Sequence, residues 1–282
     1  MGSTSFQTRR ASLSARRASL SARRASESPA ARALARIGLV ARGVIYILIG
    51  WLAIEVAIGH SSRRPSQEGA LHLLAGKSYG LVTLWLLGIG FAGYALWRLS
   101  EAVFGVTGEG RGAGPRLKSL VRAIVYAFLS VLTFKVIAGA AGNEARKQQD
   151  LTSTVMHHAG GQWLVGIVGL AIVIVGLMLV AEGIRRRFMK YLRTGEMSLR
   201  TRRIVEKLGM IGTTARGVVF AIVGALIIDA AVTFDPKKSG GLDKALLTLR
   251  HQAFGEFLLL ITALGVLIFG IYGLCEARWR RV

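Results

Sequence analysis

The chain has 282 residues, 52% of them hydrophobic and only 18% charged, with a formal net charge of +22. So much apolar sequence in long runs excludes an ordinary soluble domain. A single cysteine, Cys275, excludes an intrachain disulfide and a cysteine-built metal site.

The chain opens on a basic tail, 1–31. Residues 9–26 read RRASLSARRASLSARRAS, a seven-residue unit repeated more than twice. Low apolar content and clustered like charge predict disorder. No apolar stretch follows the arginines closely, so the tail is not a secretory signal. It is expected to fix orientation and to touch anionic lipid, at about 1 kcal/mol per Arg near the surface. The Arg-Arg-Ala-Ser pattern also makes Ser12, Ser19 and Ser26 candidate phosphorylation sites, where phosphate would cancel the positive charge.

Six apolar stretches follow, at 39–59, 79–99, 119–140, 162–181, 213–234 and 255–275. Each is long enough to cross about 30 Å of hydrocarbon at roughly 1.5 Å per residue. None holds a proline; all four prolines are assigned to connectors. Lys and Arg alternate between connectors. With the N-terminus inside, segments 1–36, 98–118, 185–207 and 278–281 carry 24 of them, and segments 63–77, 146–147 and 237–250 carry 9. That asymmetry predicts cytoplasmic termini. A nucleic-acid surface would interleave aromatics with its basic residues, and these connectors hold few.

The spans repeat. ARGVIY at 41–46 recurs as VRAIVY at 121–126 and as ARGVVF at 215–220. Thirteen residues after each arginine (Arg42, Arg122, Arg216) stands a charged residue, Glu55, Lys135 or Asp229. In the spans that follow, Gly80, Gly161 and Gly255 each precede a glutamate by twenty-one positions: Glu101, Glu182 and Glu276. The unit is a helical hairpin, giving repeats at 32–105, 115–188 and 204–282. The predicted fold is an all-α integral membrane protein, six transmembrane helices as three tandem hairpins in a pseudo-threefold bundle.

Three two-span repeats, each opening on an (A/V)R(G/A)(V/I)(V/I)(Y/F) stretch, resemble the bacterial membrane family known as domain of unknown function 1206. The resemblance covers about residues 32 to 280. The middle copy departs from it, with Ala123 in place of glycine and Lys135 in place of an acid. It implies fold and location, and no reaction or substrate.

Topology puts the three arginines and the three repeat glutamates at one depth. Each hairpin is therefore expected to staple its own legs, Arg42 to Glu101, Arg122 to Glu182 and Arg216 to Glu276. Glu55, Lys135 and Asp229 lie near the outer ends of their spans. Facing lipid is costly for a charge, so they are expected to converge as a triad, either a structural knot or part of an ion path. Small residues recur seven apart on the odd spans (Gly43 and Gly50, Ala123 and Ser130, Gly217 and Gly224), with Gly90 and Gly93, Gly166 and Gly169, and Gly270 and Gly273 on the even ones. They allow helix backbones to approach. The histidines (His60, His72, His157, His158, His251) show no metal-ligand spacing, and no catalytic motif or cofactor fingerprint is present. Residues 67–76 and 241–250 are expected to form short amphipathic helices capping the outer surface.

The function expected is therefore that of a non-enzymatic inner-membrane protein, structural or regulatory, with the lipid bilayer as its partner. The alternative is a small ion or solute transporter or channel using the intramembrane charges at the repeat axis. Against it, the repeats share one orientation and no span is broken as a midplane binding site requires.

Overall fold

The computed structural model describes residues 29–59, 65–105, 113–139, 144–158, 160–250 and 254–280. The tail with Ser12, Ser19 and Ser26 lies outside these residues, as do His60 and His251.

The described residues fold into nine α-helices with three short 3₁₀ turns. Six helices are long and apolar enough to cross a membrane: α1 (Pro29–Ala57), α3 (Gly80–Phe104), α4 (Ala113–Ile137), α6 (Gly161–Ile184), α7 (Leu199–Val232) and α9 (Gly255–Trp279). Three shorter ones, α2 (Gln67–Ala75), α5 (Glu144–Met156) and α8 (Leu242–Arg250), sit between the two legs of each repeat. The connectors 67–76 and 241–250 are thus helical. Ser66 caps α2 by accepting from the Gly69 amide, and Ala70, Leu71 and Leu74 are its buried stripe. The third short helix, α5, was not anticipated, because its sequence is too polar for an apolar stripe to stand out.

Two prolines reported as connector residues instead open helices. Pro29 and Pro115 stand in the first turns of α1 and α4, where a missing amide costs nothing. Helix α7 runs well past its apolar part. Its 34 residues extend about 51 Å, more than the hydrocarbon thickness, so its basic first turns project beyond the spans. Ser198 starts it by accepting from the Thr201 amide.

The long helices pack as a ring in the order α1, α3, α4, then α6, α7, α9 and back to α1. The tightest pairs join different repeats: α6 to α7, α9 to α1, and α3 to α4. The legs of the first repeat (α1, α3) and of the third (α7, α9) also pack together. The legs of the middle repeat do not. Helices α4 and α6 make at most glancing contact, and the ring stands open there. Three hairpins in sequence are therefore not three compact hairpins in space.

The cause is where the small residues fall. Helices α4 and α7 meet the second leg of the preceding repeat, and α1 that of the third, along the seven-residue small stripe. A Cβ at Gly217 would stand 2.7 Å from the Val180 amide nitrogen, and one at Gly224 2.6 Å from that of Val173. On the other side of the ring, a Cβ at Gly270 would stand 2.6 Å from the Ile47 nitrogen. Only backbone fits against backbone here. The middle repeat uses Ser130 at the equivalent place, and its hydroxyl donates to the Gly88 carbonyl at 2.9 Å.

Candidate functional site: an arginine cluster at the termini end of the bundle

Both chain ends of the helical core lie at one end of the ring, and the buried charges gather there. Arg42 on α1 donates to Glu276 on α9. Glu276 also accepts from Arg280, one turn further along. Arg98, on α3, is only 1% exposed. Its Nη1 donates to Glu101 at 2.6 Å, and its Nε and Nη2 donate to the Tyr94 hydroxyl at 3.1 and 2.7 Å. Its guanidinium also lies 4.4 Å from the Trp97 ring centre. Glu101 accepts a further bond from the Ser119 hydroxyl of α4 at 3.1 Å. These are charge-assisted bonds in a low-dielectric site, each saturating groups that would be costly to bury alone.

Arg280 lies just past the last span. Burial, and after it the guanidiniums of Arg98, Arg122 and Arg42, hold it down to about 10, against a tyrosine contribution from Tyr94. It stays charged at neutral pH. The Arg193 amide donates to the Trp279 carbonyl at 2.8 Å, and Leu192 pairs with Arg280 in an isolated bridge, so the α6–α7 connector seals this end.

The own-hairpin staples are not formed. Arg42 takes Glu276 of the third repeat instead of Glu101, because α1 packs on α9 more closely than on α3. Glu101 is occupied by Arg98 and Ser119. Arg122 and Glu182 belong to α4 and α6, which do not pack together, and neither makes an ion pair among the described residues. Arg216 is not on Glu276 either. Its guanidinium lies over Tyr46, Phe220 and Phe269, with centre distances of 5.7, 5.1 and 4.9 Å. Its Nε is buried without an acceptor.

The outer charges do not converge as a triad. Glu55 accepts from the indole of Trp51 on its own helix at 2.8 Å. Asp229 meets Lys238 of the following 3₁₀ turn at 3.2 Å. Lys135 is exposed on α4. Each charge finds a local answer at the rim, which needs no shared centre. His157 and His158 sit at the end of α5, where the His157 ring packs edge-on against Phe234 and His158 Nδ1 meets the Thr154 carbonyl at 2.8 Å. His72 approaches Glu68 on α2. No group of three or more metal-ligating side chains occurs among the described residues.

The geometry is that of a two-span unit used three times. The family described as Domain of Unknown Function (DUF1206) matches residues 37–105, 117–186 and 211–280. The chain belongs to this family. It is also 30% identical over 257 residues to the uncharacterized protein YxxB of Bacillus subtilis (strain 168), covering 90% of this chain and 93% of that one. No solved structure matches it.

Were the repeats of this DUF1206 chain equivalent, the arginine of each unit would meet the glutamate of the unit before it, the first closing on the third. Arg42–Glu276 is the copy that forms. In the second copy Arg98 stands in the way. It has no counterpart in the other repeats, where Leu179 and Gly273 occupy the same place relative to the opening glycine. Sequence reading passed over Arg98 as a connector charge. The signal that could have found it was its place three residues before Glu101, on one helix face.

Proposed function

We propose that this DUF1206 protein is a multi-pass component of the bacterial plasma membrane, non-catalytic and structural or regulatory in role, with both termini cytoplasmic. Orientation rests on the 24-to-9 distribution of Lys and Arg between alternate connectors. Role rests on one observation: Glu55, Lys135 and Asp229 settle separately at the rim, by Trp51, by exposure and by Lys238. A transporter of the kind expected from the sequence would need them at a shared polar centre. The basic tail adds an electrostatic hold on anionic lipid on the cytoplasmic side.

The test is ion flux in proteoliposomes for the protein and for the variant Glu55→Gln, Lys135→Gln and Asp229→Asn combined. The expected result is no flux above empty vesicles from either. Flux from the parent that the variant loses would establish the transport reading.

A further inference from the structure

The arginine cluster is short of acids. Five guanidiniums, Arg42, Arg98, Arg122, Arg216 and Arg280, gather at one end of the ring. Three of them share Glu101 and Glu276. Arg122 and Arg216 have no carboxylate partner among the described residues, and they lie within electrostatic reach of each other and of Arg98. Two like charges within reach of one another at the edge of a low-dielectric core are costly without an anion to offset them.

Arg122 is also placed unusually. It is exposed, yet Arg98, Tyr94 and Tyr126, whose electrostatic influence reaches it, are buried. An accessible arginine beside buried groups stands at an edge of the core. That edge borders the break in the ring, since Arg122 belongs to α4 and the next helix along, α6, leans on α7. The break opens sideways, toward lipid. Its two helices expose apolar side chains along their length, among them Val125 and Phe128 on α4 and Ile174 and Leu177 on α6. Arg122 and Arg216 lie near the ends of their spans, the depth at which lipid phosphates sit.

We propose that the opening between α4 and α6 holds one anionic glycerophospholipid, its phosphate bridged by Arg122 and Arg216 and its acyl chains against the two helices. The phosphate supplies the acceptors that Arg122 and the Arg216 guanidinium lack, and guanidinium forks match its oxygens. Net negative charge on the headgroup answers the excess of arginines. The sideways opening favours a lipid over a free anion, because acyl chains can enter without leaving hydrocarbon. The proposal rests on the membrane reading above.

The experiment uses the full chain, purified in detergent, stripped of lipid and given back phosphatidylglycerol or phosphatidylcholine, with bound lipid counted by native mass spectrometry. One phosphatidylglycerol should be retained in preference to phosphatidylcholine. Arg122→Gln and Arg216→Gln should each weaken that retention about tenfold, the loss of one charge-assisted partner. Arg122→Lys and Arg216→Lys, which keep the charge and guard against misfolding, should weaken it about threefold by losing the fork. Arg116→Gln, which removes an exposed guanidinium bonded to the Ala102 and Val103 carbonyls, should change nothing. Undiminished retention in all four cluster variants would overturn the proposal. So would inorganic phosphate binding at the same residues and displacing the lipid, which would make the cluster a free-anion site. Flotation with liposomes runs alongside: failure of the parent to float would sink the membrane reading instead.

Discussion

Arg42 on α1 and Glu276 on α9 stand 234 residues apart in sequence and join the first repeat to the last. Both are nearly buried, at 7% and 6% exposure. Their pairing fastens α1 to α9 in a ring that stands open between α4 and α6. Glu276 serves two guanidiniums, those of Arg42 and Arg280, and its removal would leave both without a carboxylate.

That asymmetry gives an ordering of costs. Glu276→Gln should destabilise the protein by about 3–5 kcal/mol, the range for breaking a buried pair by removing one partner. Arg42→Gln leaves Glu276 with Arg280 and should cost less, about 1–3 kcal/mol. Chemical denaturation in detergent measures both. Equal losses would show that Arg280 does not share the carboxylate.

Arg98 holds Glu101, the carboxylate that repeat symmetry would assign to Arg122. Arg98→Met should therefore free Glu101 for Arg122 and be partly compensated. The double change Arg98→Met with Arg122→Gln should cost more than the sum of the single changes, by about 0.5–3 kcal/mol. A double-mutant cycle reads this directly. Strict additivity would mean that Arg122 stays where it is.

The α6–α7 seam admits no side chain. A Cβ at Gly176 would stand 2.5 Å from the Ala221 amide nitrogen, and at Gly217 2.8 Å from the Gly176 carbonyl oxygen. Gly217→Val should force the helices apart and lower stability by about 1–3 kcal/mol or more. Gly114→Ala is the contrast: nothing lies within 4 Å of that site in the first turn of α4, and alanine should stabilise by up to about 1 kcal/mol. Melting temperatures in one detergent compare the pair, and a neutral Gly217→Val would refute the seam.

Orientation is tested by impermeant thiol labelling of intact cells in a Cys275→Ser background. A cysteine at exposed Ser78, before α3, should label from outside. A cysteine at Gly195, exposed in the α6–α7 connector with open space around it, should label only after lysis. The reverse pattern would turn the arginine cluster to the outer leaflet.

The sequence alone determined the number of spans, the threefold repeat and the family, because each follows from local pattern: run length sets a span, and equal spacings set a repeat. It also marked Arg42, Glu101, Arg122, Glu182, Arg216 and Glu276 as residues at one depth. Depth is a one-dimensional quantity, and in a ring every arginine has two neighbouring glutamates at the same height. Which of them it takes depends on which helices approach most closely. The Gly and Ser stripes decide that, and they bring α4 and α7 against the preceding repeat and α1 against the third, so Arg42 meets Glu276 and not Glu101. The burial of Arg98 and the open joint between α4 and α6 were likewise beyond a linear reading. Both arise from packing among helices far apart in sequence, where one extra guanidinium in the first repeat claims the carboxylate that the second repeat's arginine would otherwise have.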